Sequence, residues 1–227
     1  MDVSVVIPFT SDEPWRMRAR DHITGWYAQL GWEVAEGACP GPWRKAVAVA
    51  DAVARSSGEI LVVADADCLC PGVPVAAAAV EAGAPWAVPH RLVHRLDEDA
   101  THAVYSGATA ESTTGRAQAP YPGFIGGGIV VLARSTYLDI PLDARFEGWG
   151  QEDEAWALAL SCLAGRPAHL AADLFHLWHP QPDRLTRHLG SAASHELLRR
   201  YLRAARAGRP AMRALLAEPR LPQLEGI

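Results

Sequence analysis

Glu59-Ile60-Leu61-Val62-Val63-Ala64-Asp65-Ala66-Asp67 is the stretch that decides the fold. The unbroken apolar run reads as a short strand buried on both faces, since a strand with one wet face would alternate. It empties directly into two aspartates one residue apart. Upstream, Val3 to Ile7 is a second β-branched run, closed by Pro8, and Gly31 to Ala35 fits another strand. Between these lie helical segments at Pro14 to Leu30, with Ser11 and Asp12 as caps, and at Arg44 to Arg55, stopped by Ser56-Ser57-Gly58. Val73 to Ala82 is a further helix. Strand and helix in alternation predict an α/β fold with a mostly parallel central sheet flanked by helices.

In such sheets ligands gather beyond the carboxyl ends of the strands. Pro8, Glu36 and Asp65 fall at such ends, so a cleft is expected there before any motif is considered. Residues 90 to 119 break the rhythm. They carry His90, His94 and His102 and a Ser/Thr/Gly-rich stretch, and are expected to form a mobile surface loop. Beyond them, Ile129 to Ala133 and Leu174 to Trp178 read as strands. Glu152 to Ala164 reads as a helix, and Ser194 to Ala207 as an amphipathic helix on the outside. The expected organisation is one main domain over 1–190 and a helical extension over 191–227 packed on it.

Bulk properties narrow the partners. The chain has 227 residues, 49% of them hydrophobic, with a formal net charge of −5. That is enough apolar material for a sizeable core, and no basic excess points to nucleic acid. An acid, Asp2, stands where a signal peptide would be positive, and no apolar run approaches the ~20 residues of a membrane span. The four cysteines, Cys39, Cys68, Cys70 and Cys162, form no CxxC pair. Reduced thiols in a cytoplasmic protein are therefore expected.

Three constellations carry chemistry. Asp65-Ala66-Asp67 at a buried strand end suits a hard divalent cation beside phosphates, one acid facing a ribose and the other the metal. The same triplet, met in isolation, also describes two solvated turn aspartates. Gly148-Trp149-Gly150-Gln151-Glu152-Asp153-Glu154 sets glycines and an indole at a helix entrance before three acids. Acids in a first turn complement the helix dipole in any protein. The glycines and Trp149 add the character of a loop that closes over a sugar, with a carboxylate placed to take a hydroxyl proton. Finally, His176-Leu177-Trp178-His179-Pro180 supplies His176 as a candidate partner of Asp67 on the metal. Asp173 stands three residues before it.

Taken in order, Asp65-x-Asp67, Gly126-Gly127, Gly148-Trp149-Gly150-x-Glu152-Asp153 and a histidine about 23 residues on resemble the glycosyltransferases of GT-A fold. The pattern is most similar to family 2 enzymes whose C-terminal region is like that of β-1,4-galactosyltransferases, and spans about Val3 to Pro182. The resemblance implies a metal-dependent hexosyltransferase using a UDP-sugar, inverting, with Mn²⁺ (or Mg²⁺) as cofactor. It implies transfer to an acceptor hydroxyl on a glycan, small molecule or peptide. Pro8 and Phe9 would underlie the nucleotide, with Thr10 where relatives carry a basic residue. Trp43 would stack on the uracil, Lys45 approach the nucleotide, and Ala66 lie between Asp65 and the metal ligand Asp67. Gly127 would bring backbone to the transferred sugar, Trp149 would cap it, Glu152 would bind sugar or acceptor, and Asp153 would be the base. His176 would complete the metal site. Gln151 departs from the glycine often found before the Glu-Asp pair.

Two other classes share parts of this pattern. Haloacid-dehalogenase-like phosphohydrolases also place Asp-x-Asp after a strand, which would make Asp65 a nucleophile. A non-catalytic nucleotide-sugar-binding protein would keep the fold without needing Asp153.

Overall fold

The computed structural model describes residues 1–113, 115–118, 127–148, 150–180 and 191–219. Its centre is a mixed eight-stranded sheet. Strand β1 (Val3–Pro8) pairs in parallel with β2 (Glu33–Gly37) on one side and β3 (Ile60–Ala64) on the other. The remainder is β4 (Cys68–Leu69), β5 (Ala87–Leu96), β6 (Gly115–Gln118), β7 (Ile129–Ala133) and β8 (Ala168–His176). The path runs β2-β1-β3-β7-β5-β8-β4, with β6 added alongside β5. The parallel half is the one foreseen from the N-terminal strands. Beyond it, β7 runs antiparallel to β3 and β5, β4 antiparallel to β8, and only β5 with β8 restores a parallel pair.

The central strands bury both faces, and their alternation sorts the core into two layers. Val5, Ile7, Val62, Ala64, Ile129 and Val131 face one layer, with Ala19, Ile23 and Tyr27 of α1 (Pro14–Ala28) and Val73, Ala76 and Val80 of α3 (Val73–Glu81). Val6, Leu61, Val63, Val130 and Leu132 face the other, with α2 (Lys45–Ala54) and α6 (Glu152–Leu163). Each fully buried aliphatic or aromatic side chain here contributes about 1.5–3 kcal/mol of transfer free energy. Short helices α4 (Glu98–Tyr105) and α5 (Arg134–Asp139) complete the flanks. The last helices, α7 (Ser191–Ala207) and α8 (Arg209–Leu216), set Leu197, Leu198, Tyr201 and Met212 into the α6 side of the core. Beneath them the buried Asp143 carboxylate is held by the Arg145 guanidinium and by the Tyr201 hydroxyl at 2.7 Å.

Several expectations shift. The cap of α1 is Glu13, whose carboxylate accepts from the amides of Trp15 and Arg16, in place of Ser11 or Asp12. Strand β2 begins at Glu33 and β8 at Ala168, two residues later and six residues earlier than the apolar runs suggested. The largest correction concerns residues 90 to 119, expected as a mobile loop. They hold most of β5, all of α4, a 3₁₀ turn at Ala110–Ser112 and β6. Polar side chains of β5 misled the reading because their partners come from β8, far along the chain. His94 Nε2 meets Asp173 Oδ2 at 2.9 Å while its ring stacks on Phe175. The buried His90 gives its carbonyl to His169 Nε2 at 2.8 Å.

Close approach of β2 to α2 depends on Gly37, where an added Cβ would lie 1.8 Å from the Ala48 carbonyl oxygen. Gly37→Ala is expected to lower stability by about 2–4 kcal/mol, read as an earlier midpoint in urea unfolding.

Candidate active site and metal centre

The Asp65-Ala66-Asp67 turn is fixed from two sides. The Asp65 amide donates to the Gly128 carbonyl at 2.7 Å, and Leu177 donates to the Asp67 carbonyl at 2.8 Å. The glycines before β7 make the first contact possible. Gly127 and Gly128 take φ of 115° and 73°, and a Cβ on Gly128 would meet Leu174 at 2.7 Å. Antiparallel pairing of Cys68 with His176 then lays the end of β8 along the turn.

This brings His176 to Asp67, as foreseen, and adds His179. Asp67 Oδ2 lies 3.7 Å from His176 Nε2 and 3.3 Å from His179 Nε2. The ligand atoms of all three residues lie within 4.8 Å of one another. Asp67 Oδ1 faces the other way and accepts from the Cys68 thiol at 3.4 Å. His179 Nδ1 lies 2.9 Å from the Pro180 carbonyl, which can only accept. Nδ1 therefore donates there, and Nε2 is the ring nitrogen that faces Asp67. Burial draws His176 below the ordinary histidine range. The two imidazoles and the Cys68 thiol outweigh burial at Asp67 and hold it well below the usual carboxylate range. One carboxylate and two imidazoles suit a first-row divalent cation such as Mn²⁺, so the residues present fit the ion the resemblance implies. His179 was legible as the second histidine of His176-Leu177-Trp178-His179-Pro180. Its spacing from His176 placed it beyond the end of a strand, where side-chain direction is not set by alternation.

A second charge cluster sits beside the first. Lys45, the first residue of α2, is 8% exposed. Its ammonium lies 2.6 Å from Asp65 Oδ1, and 2.8 and 3.0 Å from the two oxygens of Asp153. One ammonium thus faces three carboxylate oxygens. A cation in a first helical turn opposes the helix dipole, and the two carboxylates offset that penalty. Burial would pull the Lys45 ammonium down, but Asp153, Asp65 and Glu152 together hold it well above the ordinary lysine range. Burial pushes Asp65 up to about 6 against the opposing pull of Lys45. Glu152, 7% exposed, is pushed up to about 8 by burial and by the Asp153 charge.

The remaining candidates are placed as follows. Pro8 closes β1, and the Phe9 amide donates to the Gly37 carbonyl at 2.8 Å, with the Arg20 guanidinium 5.0 Å from the ring centre. Thr10 Oγ1 accepts from the Cys39 amide. Glu36 is taken by Arg20 at 2.7 Å and Thr24 at 3.1 Å. The carbonyl of Trp43 accepts from the Gly148 amide at 2.8 Å, which ties Gly148 to the start of α2. Ala66 is half-buried in the turn. Asp173 is paired with His94 rather than with the metal cluster. Trp149 and Gly126 lie outside the described residues.

No family model and no curated protein matches the sequence. Solved structures do. Glucosyl-3-phosphoglycerate synthase from Mycobacterium tuberculosis, in complex with Mg²⁺ and UDP, aligns with a TM-score of 0.51 at 16% identity, over 92% of this chain and 80% of that one. The same enzyme with Mn²⁺, UDP and glucosyl-3-phosphoglycerate gives 0.50 at 17% identity, over 92% and 81%. The catalytic domain of Drosophila β1,4-galactosyltransferase 7, in complex with xylobiose, gives 0.47 at 12% identity, over 86% and 81%. The fold is that of the GT-A glycosyltransferases.

The raised Glu152 makes a pH prediction. Its folded value of about 8 lies above the ordinary 4.5, so its contribution is complete below about pH 4.5 and is lost as pH rises through about 8. Glu152→Gln removes that loss. In urea unfolding with chelator present, the variant is expected to gain stability relative to wild type between about pH 5 and about pH 9.

Proposed function

We propose that this chain is a metal-dependent glycosyltransferase that moves a sugar from a UDP-sugar to an acceptor hydroxyl with inversion. The observation that carries this reading is the meeting of Asp67 with His176 and His179, roughly a hundred residues downstream, at the mouth of β3 and on the same turn as the Lys45-bound Asp65. That the two Mycobacterium tuberculosis complexes hold a divalent cation and UDP supports it.

In this reading Asp67, His176 and His179 hold a Mn²⁺ or Mg²⁺ ion, which when bound neutralises the departing diphosphate. Asp65 accepts a ribose hydroxyl, with Pro8, Phe9, Thr10, Glu36 and Trp43 around the nucleoside and Gly127 and Trp149 toward the sugar. The acceptor oxygen bonds to the anomeric carbon as the bond from that carbon to the diphosphate oxygen breaks. The acceptor proton passes to the Asp153 carboxylate. Lys45 holds Asp153 and Asp65 in register by contacting both, so neither acid must be reorganised during the reaction.

Thermal shift tests the reading. UDP with Mn²⁺ at about a hundred times its Kd is expected to add about 2.7 kcal/mol of stability, and chelator to remove the effect. His179→Ala and His176→Ala are both expected to lose that shift. Asp153→Asn is expected to keep it while transfer from a UDP-sugar falls by about 10² or more. Retention of transfer by Asp153→Asn sinks the base assignment. Release of phosphate from a simple phosphate ester, without any UDP shift, sinks the transferase reading in favour of hydrolysis.

A further inference from the structure

Helix α2 opens on two residues that a helix start disfavours. Its N-cap is Arg44, with φ −137° and ψ 104° and no side-chain bond to the helix amides. Helix N-caps favour serine, threonine, aspartate or asparagine, whose short side-chain oxygens accept from those amides. Lys45 follows at the first helical position. Two successive cations thus stand at the positive end of the helix dipole, where anions are favoured. Local rules broken in this way gather where function overrides stability.

Both cations reach one segment about a hundred residues further along the chain. The Arg44 guanidinium meets the Glu147 carboxylate at 3.0 Å, and the Lys45 ammonium meets Asp153 at 2.8 and 3.0 Å. The Trp43 carbonyl takes the Gly148 amide at 2.8 Å. Three consecutive residues therefore hold both ends of the stretch from Glu147 to Asp153. Within it Gly148, Gly150 and Gln151 have φ of 82°, 98° and 71°. Such left-handed positions belong to no regular element, so contacts at the two ends do the holding. Ser194 of α7 adds a weaker hold, its hydroxyl 3.4 Å from the Glu147 carbonyl. Stability does not account for the Arg44–Glu147 pair. Its side chains are 29% and 51% exposed, and ion pairs so open to water contribute little.

We propose that Arg44 is a positioning residue that fixes the entry to the Glu147–Asp153 stretch, as Lys45 fixes its exit at the acid that takes the acceptor proton. The proposal rests on the transferase reading and deepens it. Arg44 acts through Glu147 and not on the reacting atoms. By holding the entry against the start of α2, it presents Asp153 to the acceptor hydroxyl in one geometry. Small misplacements are costly here, because transfer needs the reacting atoms in near contact.

The test is Arg44→Ser in the full chain, beside Glu147→Gln and the double variant. Serine supplies the cap that arginine lacks, so the thermal midpoint is expected to rise by about 2–4 °C. Calorimetry with Mn²⁺ is expected to show unchanged UDP affinity. Release of UDP from UDP-glucose or UDP-galactose, with water as acceptor, is expected to fall about tenfold in kcat at unchanged KM. Glu147→Gln is expected to show the same fall and the double variant no more, since one contact is lost in all three. The exchanged pair, Arg44→Glu with Glu147→Arg, is expected to recover most of kcat. A residue kept only for folding would lower the midpoint and leave kcat alone, and that outcome overturns the proposal. Additive losses, or no recovery in the exchanged pair, also overturn it. Hydrogen exchange of peptides covering 145–151 reads the anchor without any ligand. It is expected to quicken in Arg44→Ser, and unchanged exchange overturns the proposal. Wild-type protein that binds no UDP with Mn²⁺ overturns the transferase reading instead, while the exchange result stands.

Discussion

Two backbone hydrogen bonds hold the rest of the site in place. Asp65 N–H reaches back to the Gly128 carbonyl, and Asp67 gives its carbonyl to Leu177 N–H. Between them the Asp65-Ala66-Asp67 turn cannot drift from β7 or from the end of β8. Every side chain argued to do chemistry is referred to this turn. Asp67 points to the imidazoles that β8 delivers, and Asp65 points to Lys45 on α2. Through Lys45, Asp153 at the start of α6 is held to the same frame. Four separate segments thus converge with no side chain needing to search for its position.

The charge arrangement explains how such a crowd of acids is accommodated. Asp65, Asp153 and Glu152 crowd about the Lys45 ammonium, and with Glu152 buried, full ionisation of all three would leave uncompensated charge. Lys45 balances two carboxylates by direct contact, and Glu152 leans toward its neutral form. On the other side of the turn the excess charge of Asp67 is met by imidazoles and a thiol. The site is therefore split into a half paired through Lys45 and a half made of one carboxylate and two imidazoles.

Much of this was legible in the sequence, and the boundary is instructive. The Ile60–Ala64 strand with its terminal acids was readable because continuous apolar runs have one common explanation. The joining of Asp67 to His176 was raised by the paired histidines and given its role by the resemblance, since nothing local says that residues so far apart meet. Residues 90 to 119 were misread because His90, His94 and Arg95 look solvated until Asp173, Phe175 and His176 of β8 are placed alongside them. Periodicity reports a strand's faces, not its neighbours. Nor was the Lys45 bridge foreseen. A lysine opening an alanine-rich helix reads as ordinary surface charge, and only its 8% exposure with carboxylates from two other segments shows otherwise. Gln151 was visible as a departure from glycine, but its positive φ belongs to three dimensions alone.

The position of β8 has a consequence for biogenesis. This strand, the last among the described residues, is inserted between β5 and β4 rather than added at the rim. During synthesis the flank of β5 that β8 covers stays bare until residues near 176 leave the ribosome, and the nascent chain displays an unpaired β edge until then. Such an edge is a template for pairing with other nascent chains. The growing chain thus carries an open sheet edge until β8 threads the gap between β5 and β4.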